Sequence, residues 1–185
     1  MAVSAQQAWA VYEAADCLYE QAQVERAFDR LAAEITARLG ERDPLILCVM
    51  AGGVIPAGHL LTRLHFPLQV DYIHATRYGH RTRGGELDWR VRPTNSLQDR
   101  VVLVVDDIHD AGITLAAILE ACERAGAREV YSAVLINKRR EGKHPRAADF
   151  VGLETEDRYL FGYGMDYKGY LRNVPGIYAV HEDHE

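Results

Sequence analysis

The sequence contains 185 residues, of which 48% are hydrophobic and 26% charged, with a formal net charge of −6. This composition is ordinary for a globular domain with a full core, and the acidic balance argues against nucleic-acid binding, which requires a cationic surface. No apolar run approaches the ~20 residues that span a bilayer, and no signal peptide is evident. The three cysteines form no CxxC pattern, which suits free thiols in a reducing cytosol. We therefore expect a cytoplasmic protein without membrane or nucleic-acid partners.

The first part of the chain predicts helices followed by two buried strands. Apolar residues recur there at steps of three and four, which predicts helix over residues 5–39, ended by Gly40. Short apolar runs predict strands over residues 45–50 and 68–75. A Gly-Gly turn and a helix separate these two strands.

The segment 77–92 differs from its surroundings. Several arginines precede a Gly-Gly pair, after which Leu87, Trp89 and Val91 alternate with polar residues. Alternation after such a turn is typical of a β-hairpin. We expect this hairpin to close over the functional site as a flexible lid. The alternative is a solvated basic hairpin.

The rest of the chain alternates strands and helices, which predicts an α/β fold on a mostly parallel sheet. We expect a single domain over residues 1–185, with a core sheet over residues 45–140. The short strands within residues 141–185 should form a small hood with the helices of residues 1–40. The predicted elements are a strand at 101–105, a helix at 112–125, a strand at 129–137, and short strands at 149–153, 159–163 and 177–180.

The most informative segment follows the apolar run 101–105. Carboxylates at Asp106, Asp107 and Asp110 come next, and the small residues 111–114 then lead into a helix. A strand, an acidic tip and a glycine turn at a helix N-terminus form an anion site at the carboxyl edge of an open α/β sheet. Amides in the turn can hold a phosphate, and carboxylates can hold sugar hydroxyls or a divalent metal. The pattern therefore indicates a phosphorylated sugar.

Two other interpretations of the acidic segment compete with this one. Asp110 is a favourable residue for capping the following helix, although capping does not require three acids. Asp-Asp-x-x-Asp is also a metal motif of prenyl-transferring enzymes. There it lies within a helix of an all-α protein, whereas here it follows a strand.

Residues 104–115 resemble the phosphoribosyl pyrophosphate (PRPP) signature of the type I phosphoribosyltransferases. The resemblance extends to the hypoxanthine-guanine members and implies their fold, an open, mostly parallel twisted sheet flanked by helices, with a hood and a lid. The similar segments follow in the family's order over roughly residues 12–180, at 49–53, 66–73, 77–79, 138–139, 149–152, 161–167 and 172–173.

On the PRPP side, the resemblance implies that carboxylates bind the sugar and amides bind the phosphates. Asp106 and Asp107 would contact the ribose hydroxyls directly or through Mg²⁺, with Asp166 as a further carboxylate near the metal. A non-proline cis peptide bond is expected between Met50 and Ala51. The 5′-phosphate would lie against Ala111, Gly112, Ile113 and Thr114, and pyrophosphate against Ala51, Gly52, Arg77, Tyr78 and Arg172.

On the purine side, the resemblance makes Asp110 the catalytic base and Lys138 the donor to the 6-oxo group. The other purine contacts would be Tyr159 by stacking, Leu160 through its backbone, and Asp166. Ala51 and Ala111 each lack a side chain that could contact a phosphate, so we expect weaker PRPP binding without loss of the chemistry. The chain departs from the family pattern at four positions, which are Ala51, Arg77, His109 and Ala111.

The resemblance implies a purine salvage enzyme. It would transfer the 5-phosphoribosyl group from PRPP to N9 of hypoxanthine or guanine, giving IMP or GMP and pyrophosphate. The alternatives are an enzyme that prefers xanthine or a pyrimidine, and a non-catalytic PRPP-sensing regulator on the same fold. We expect a homodimer or homotetramer, with the N-terminal helices and residues 59–72 as contact surfaces.

Overall fold

The structure is a computed structural model that describes residues 3–77 and 87–184, with only the backbone described for Thr76, Arg77 and Leu87. This part of the chain contains two sheets, four α-helices and a short 3₁₀ helix at Glu182–His184. The α-helices are α1 (Ala5–Ala14), α2 (Gln21–Leu39), α3 (Val54–Leu61) and α4 (Ile113–Arg124). The strands are β1 (Asp16–Glu20), β2 (Leu45–Val49), β3 (Gln69–Arg77), β4 (Leu87–Val91), β5 (Val101–His109), β6 (Glu129–Arg139), β7 (Phe150–Glu156), β8 (Leu160–Phe161) and β9 (Gly176–Ala179).

The central sheet has six strands in the order β4-β3-β2-β5-β6-β7. All neighbouring pairs are parallel except β3 and β4, which are antiparallel. The predicted α/β fold with a mostly parallel sheet is therefore confirmed. The strand order reverses between β2 and β5, and in open α/β sheets the crevice at such a reversal is where ligands bind.

Helices cover both faces of this sheet. The apolar stripe of α2, which includes Phe28, Leu31 and Ile35, packs with α3 against one face. On the other face, Leu115 and Ile118 of α4 belong to a second buried cluster. Strand β5 is buried on both sides over its first five residues, as its continuous apolar run predicts. No helix in the described ranges is long and apolar enough to cross a membrane.

The hood consists of α1 and an antiparallel sheet in the order β1-β9-β8. The prediction of helix throughout residues 5–39 was wrong, because Asp16–Glu20 forms a strand between α1 and α2. Its partner is Gly176–Ala179, near the other end of the chain, and local periodicity cannot reveal such a pairing. The core sheet also extends past the expected limit at residue 140, because β7 pairs with β6 rather than with the hood.

Two elements near the crevice differ in extent from the prediction. Strand β5 continues to His109, so Asp106 and Asp107 lie within the hydrogen-bonded ladder instead of following it. Strand β4 pairs with β3, with Trp89 opposite Ala75, as the predicted hairpin requires. The central part of the expected lid, residues 78–86 with Tyr78, lies outside the described residues.

Candidate active site

The crevice between β2 and β5 brings two turns together. The turn after β2 contains a cis peptide bond between Met50 and Ala51, as expected. A Cβ atom at Gly52 would overlap the Asp107 carboxylate of β5. Only a residue without a side chain allows the backbone of this turn to approach the acid so closely. The expected pyrophosphate turn and one expected sugar-binding acid are therefore direct neighbours.

Residues of the hood lie beside the Gly52 turn and Asp107. Arg172 lies 4.0 Å from the Asp107 carboxylate and 2.6 Å from that of Asp166, and it donates a 2.5 Å hydrogen bond to the Gly164 carbonyl. A Cβ atom at Gly164 would overlap the Gly52 carbonyl. Three residues predicted from separate parts of the sequence, Asp107, Asp166 and Arg172, therefore lie together.

The loop after β5 has the shape expected of a phosphate cradle. Gly112 has φ +77°, a left-handed conformation that glycine adopts without strain, and it starts the twelve-residue helix α4. The Ala111 carbonyl accepts a 2.9 Å hydrogen bond from the His144 amide, which supports the loop from behind. Residues 106–115 line a cleft of about 280 Å³. Amides at a helix N-terminus favour an anion there.

The carboxylate oxygens of Asp106 and Asp107 are ligands of the kind that Mg²⁺ prefers. The Asp106 carboxylate accepts a 2.9 Å hydrogen bond from the Asp107 amide. Burial and the neighbouring Asp107 raise the pKa of Asp106 well above its ordinary value, and burial raises the pKa of Asp107. Asp107 is buried and Asp106 half-buried, and two acids this close are better accommodated when a cation binds beside them.

The third expected metal ligand, Asp166, is ion-paired with Arg172. Within residues 3–77 and 87–184, no group of three or more acidic, histidine or cysteine side chains could hold a metal ion. Mg²⁺ commonly uses one or two carboxylates together with water and substrate phosphates, rather than a cage built by the protein alone. Asp106 and Asp107 fit that mode of binding.

A second group of charges lies at the ends of β5, β6 and β7. The Asp110 carboxylate is 3.6 Å from the Lys138 ammonium and 2.7 Å from the Arg140 guanidinium. Asp157 contacts the same two cations, at 3.3 Å from Lys138 and 3.5 Å from Arg140. Lys138 is 8% exposed, so its charge is held in the protein rather than in solvent. The predicted catalytic base and the predicted donor to the purine are therefore neighbours.

The other predicted purine contacts lie in the hood. Leu160 is buried in the main core. The Tyr159 ring lies 5.6 Å from that of Tyr167, and its hydroxyl accepts a 3.3 Å hydrogen bond from the Lys168 amide.

Of the remaining residues predicted to bind phosphate or pyrophosphate, Ile113 is exposed beside the loop after β5. The Arg77 side chain and Tyr78, both expected at pyrophosphate, lie outside the described residues.

Sequence reasoning missed several polar residues of this region. Arg140 and Asp157 each follow a strand directly, where parallel strands place their carboxyl ends along one edge. Their place directly after a strand was the only available signal, and it does not distinguish Arg140 and Asp157 from ordinary surface charges. Lys143 contacts the His109 carbonyl next to Asp110, and Asn137 contacts the Lys143 ammonium and the His109 ring. Neither carried a signal, because these contacts depend on the pairing of β5 with β6 and on the loop that follows.

A family model described as the phosphoribosyl transferase domain matches residues 14–168. The chain therefore belongs to the phosphoribosyl transferase family. It is 31% identical to the hypoxanthine-guanine-xanthine phosphoribosyltransferase of Tritrichomonas foetus over 166 residues, which cover 89% of this chain and 91% of that protein. It is 29% identical to the hypoxanthine-guanine phosphoribosyltransferase of Bacillus subtilis, over 86% of this chain and 89% of the relative.

Solved structures agree with these relatives. A hypoxanthine-guanine-xanthine phosphoribosyltransferase superposes with a TM-score of 0.82 at 30% identity, over 90% of this chain and 97% of the other. A hypoxanthine-guanine phosphoribosyltransferase from Bacillus anthracis gives a TM-score of 0.85 at 25% identity, over 90% and 98%. The resemblance to hypoxanthine-guanine phosphoribosyltransferases that the sequence motifs indicate is confirmed.

Proposed function

We propose that this protein is a purine salvage transferase, which moves the 5-phosphoribosyl group of PRPP to N9 of hypoxanthine or guanine and releases pyrophosphate. One observation carries the proposal. The continuous segment 106–114 presents sugar-binding acids, a candidate base and a phosphate cradle at one sheet edge, between the Gly52 turn and Lys138. PRPP needs the sugar-binding acids and the phosphate cradle, and a purine acceptor needs the base.

The PRPP half of the site binds the leaving group and the sugar at separate places. The amides of residues 111–114 receive the 5′-phosphate, and the Gly52 turn receives pyrophosphate with Arg172 beside it. When bound, Mg²⁺ would be held by Asp106 and Asp107 and would neutralise charge on the departing pyrophosphate. The two acids also stabilise positive charge that develops on the ribose as its bond to pyrophosphate breaks.

The purine half needs a proton acceptor and a donor. Asp110 takes the imidazole proton as N9 attacks the anomeric carbon, and Lys138 donates to the 6-oxo group. Their separation of 3.6 Å in the free protein supports a shared contact with one purine ring. Tyr159, Leu160 and Asp166 complete the purine site in this proposal. Fixing both substrates in line supplies much of the rate acceleration.

A xanthine-accepting enzyme is the second candidate. The Tritrichomonas foetus relative includes xanthine in its name, at 31% identity. Xanthine differs from hypoxanthine by an oxygen at position 2, and Arg140 supplies a second cation next to Lys138 that could donate to it.

The remaining expectations belong to the same proposal. We expect a homodimer or homotetramer, with substrates as the other partners. A cytoplasmic location suits the free thiols of Cys17, Cys48 and Cys122.

One assay tests the proposed function. Purified protein is given PRPP and Mg²⁺ with hypoxanthine, guanine, xanthine or adenine in separate reactions, and nucleotide formation is followed. We expect turnover with hypoxanthine and guanine and far less with adenine. PRPP binding without turnover on any base would instead indicate a PRPP-sensing regulator. Omission of Mg²⁺ should abolish turnover.

A further inference from the structure

Lys143 lies in the loop after β6 and directs its ammonium group inward. It donates to three oxygens, the carbonyl of His109 at 2.9 Å, the carbonyl of Lys138 at 2.8 Å and Oδ1 of Asn137 at 2.5 Å. An ammonium has three protons, so these contacts use all of its donors. Such complete use of a lysine by chain oxygens and an amide is unusual for a residue in a loop.

Lys143 is half-buried, and its ammonium contacts neutral oxygens on the protein side. Burial lowers the pKa of Lys143, and the nearby charge of Arg140 acts in the same direction, whereas Asp110 and Glu154 oppose it. Within the described ranges, no carboxylate lies within ion-pair distance of its ammonium. The cation therefore acts on the backbone and not as one member of a salt bridge.

The two carbonyls have particular positions. His109 precedes Asp110, and the other carbonyl belongs to Lys138 itself. Strands β5 and β6 are paired in register only as far as His109 opposite Asn137. Beyond that pair the register of β5 with β6 does not continue, whereas Lys138 stays paired with Thr155 of β7. The Asp110 segment is therefore no longer paired with the strand that carries Lys138. Lys143 bridges them at the point where the ladder ends.

The same contacts extend to the phosphate cradle. Asn137 Oδ1 lies 3.1 Å from His109 Nδ1, which places the ring proton on that nitrogen. His109 is 2% exposed, and its other nitrogen lies under Gly112, where an added Cβ would be 2.5 Å away. Lys143 donates to the same Oδ1, but the Asn137–His109 hydrogen bond and the strand pairing of these two residues do not involve Lys143. The cradle should therefore keep its shape when the ammonium is lost.

We propose that Lys143 is a positioning residue that sets the distance between Asp110 and Lys138. It contacts no substrate and acts through two backbone carbonyls, that of Lys138 and that of His109, which precedes Asp110. This inference rests on the proposed function. It predicts that loss of the ammonium impairs use of the purine, while the sugar-binding acids upstream keep their places in the β5 ladder.

The test is Lys143→Met, which keeps the length of the side chain and removes its donors. We expect kcat/KM for hypoxanthine to fall by about 10²-fold, the scale of a small misplacement of catalytic groups. The KM for PRPP should stay within roughly threefold of the wild-type value, because this loss is specific to the purine side. Lys143→Arg, which retains a cationic donor, should recover part of the activity. Lys143→Gln, with one amide donor, should lie between them.

The matched control is Arg146→Met in the same loop. Arg146 pairs with Glu123 of α4 at 2.7 Å, and its side chain makes no hydrogen bond or ion pair with Asp110 or Lys138 in the described structure. Its loss should leave kcat/KM unchanged while costing a similar amount of thermal stability. Equal losses of activity in Lys143→Met and Arg146→Met would show a general effect of the loop and overturn the proposal.

A double-mutant cycle gives the readout that a merely structural role would not produce. If Lys143 acts through Asp110, adding Lys143→Met to Asp110→Asn should cost far less than it costs in the wild type. Additive losses would overturn the inference, as would wild-type purine kinetics in folded Lys143→Met. An inactive wild-type protein would instead refute the proposed function.

Discussion

Asp110 is the residue whose surroundings say most about the proposed chemistry. It is the only acid of the segment 106–110 that contacts two cations, Lys138 and Arg140, within ion-pair distance in the described structure. Asp106 and Asp107 lie upstream in the strand ladder and face the other half of the cleft. In the proposed function, one short segment therefore separates the acids that bind the sugar from the acid that accepts the proton.

Replacing Asp110 by Asn should lower kcat by about 10²–10⁴-fold, the usual contribution of an acid–base group. The amide keeps the shape of the side chain but cannot accept the imidazole proton, so the KM for PRPP should change little. The matched control is Asp157→Asn, which removes a carboxylate from the same two cations. Steady-state kinetics of both variants check this prediction. Near-normal turnover by Asp110→Asn would remove the assignment.

Lys138 should decide between oxo and amino purines. Its ammonium is a donor without an acceptor, so it suits the 6-oxo group and mismatches the 6-amino group of adenine. Sites of this kind can discriminate by about 10⁴-fold or more. Lys138→Met should lower kcat/KM for hypoxanthine and bring the ratio of hypoxanthine to adenine activity much closer to one. An unchanged ratio, measured by competition between the two bases, would contradict the role.

At the scale of elements, β3 is tied to the chain that follows the hairpin. The buried Asp71 carboxylate accepts hydrogen bonds from the amides of Tyr72, Thr94 and Asn95 and from the side chains of the last two. Burial alone would raise the pKa of Asp71, but these hydrogen bonds outweigh it and lower the pKa to about 2. The contacts anchor the segment where the chain returns from β4 to the core.

This anchor predicts acid sensitivity. The folded pKa of Asp71, about 2, lies below its ordinary 3.8, so the contribution to stability is present above pH 3.8 and is lost as pH falls toward 2. Its magnitude is on the order of 2 kcal/mol. Urea unfolding at several pH values should show this loss, and Asp71→Asn should be less stable at neutral pH and flatter below pH 4. If the free energy of unfolding of Asp71→Asn falls with decreasing pH as steeply as that of the wild type, other groups cause the acid sensitivity.

The sequence predicted the elements whose signals are local. The run Val101–Val105, the turn at Gly112 and the apolar stripe of α2 predicted a strand, a turn into a helix and a helix, and the structure contains all three. Strand β1 could not be predicted, because its hydrogen bonds go to β9 and its own residues show no alternation. The cations on the purine side were difficult to predict for the same reason, because their contacts are not local in sequence. Lys138 was found through a family motif, whereas Arg140 and Lys143 depend on a loop that sequence does not place.

For the whole molecule, the important contact is the one between the hood and the core. The Tyr163 hydroxyl donates a 2.8 Å hydrogen bond to Glu25 of α2, and Gly164 lies directly on the Gly52 turn. In the proposed function, the hood therefore closes one side of the pyrophosphate site and places Arg172 beside it. Packing of the hood and geometry of the site should change together.

Gly164→Ala tests this coupling. Gly164 has φ +110° and no room for a Cβ atom, whereas Gly169 has φ +92° and open space around it. Both Ala variants suffer similar backbone strain, so their difference isolates the contact with the Gly52 turn. We expect Gly164→Ala to raise the KM for PRPP much more than Gly169→Ala does, and to lower the melting temperature further because its Cβ overlaps the Gly52 carbonyl. Equal PRPP kinetics would mean that the hood does not shape the pyrophosphate site.

The Arg140–Asp110 pair makes substrate binding a competition. In the free protein a guanidinium occupies the carboxylate oxygen that the purine imidazole must reach, and Arg140 can retreat to Asp157 nearby. Salt screens partly exposed ion pairs, so raising the ionic strength weakens the Arg140–Asp110 ion pair. It also weakens the attraction between the protein and the anionic PRPP. The two substrates should then respond in opposite directions, with KM falling for hypoxanthine and rising for PRPP. Arg140→Gln should abolish the first response and leave the second.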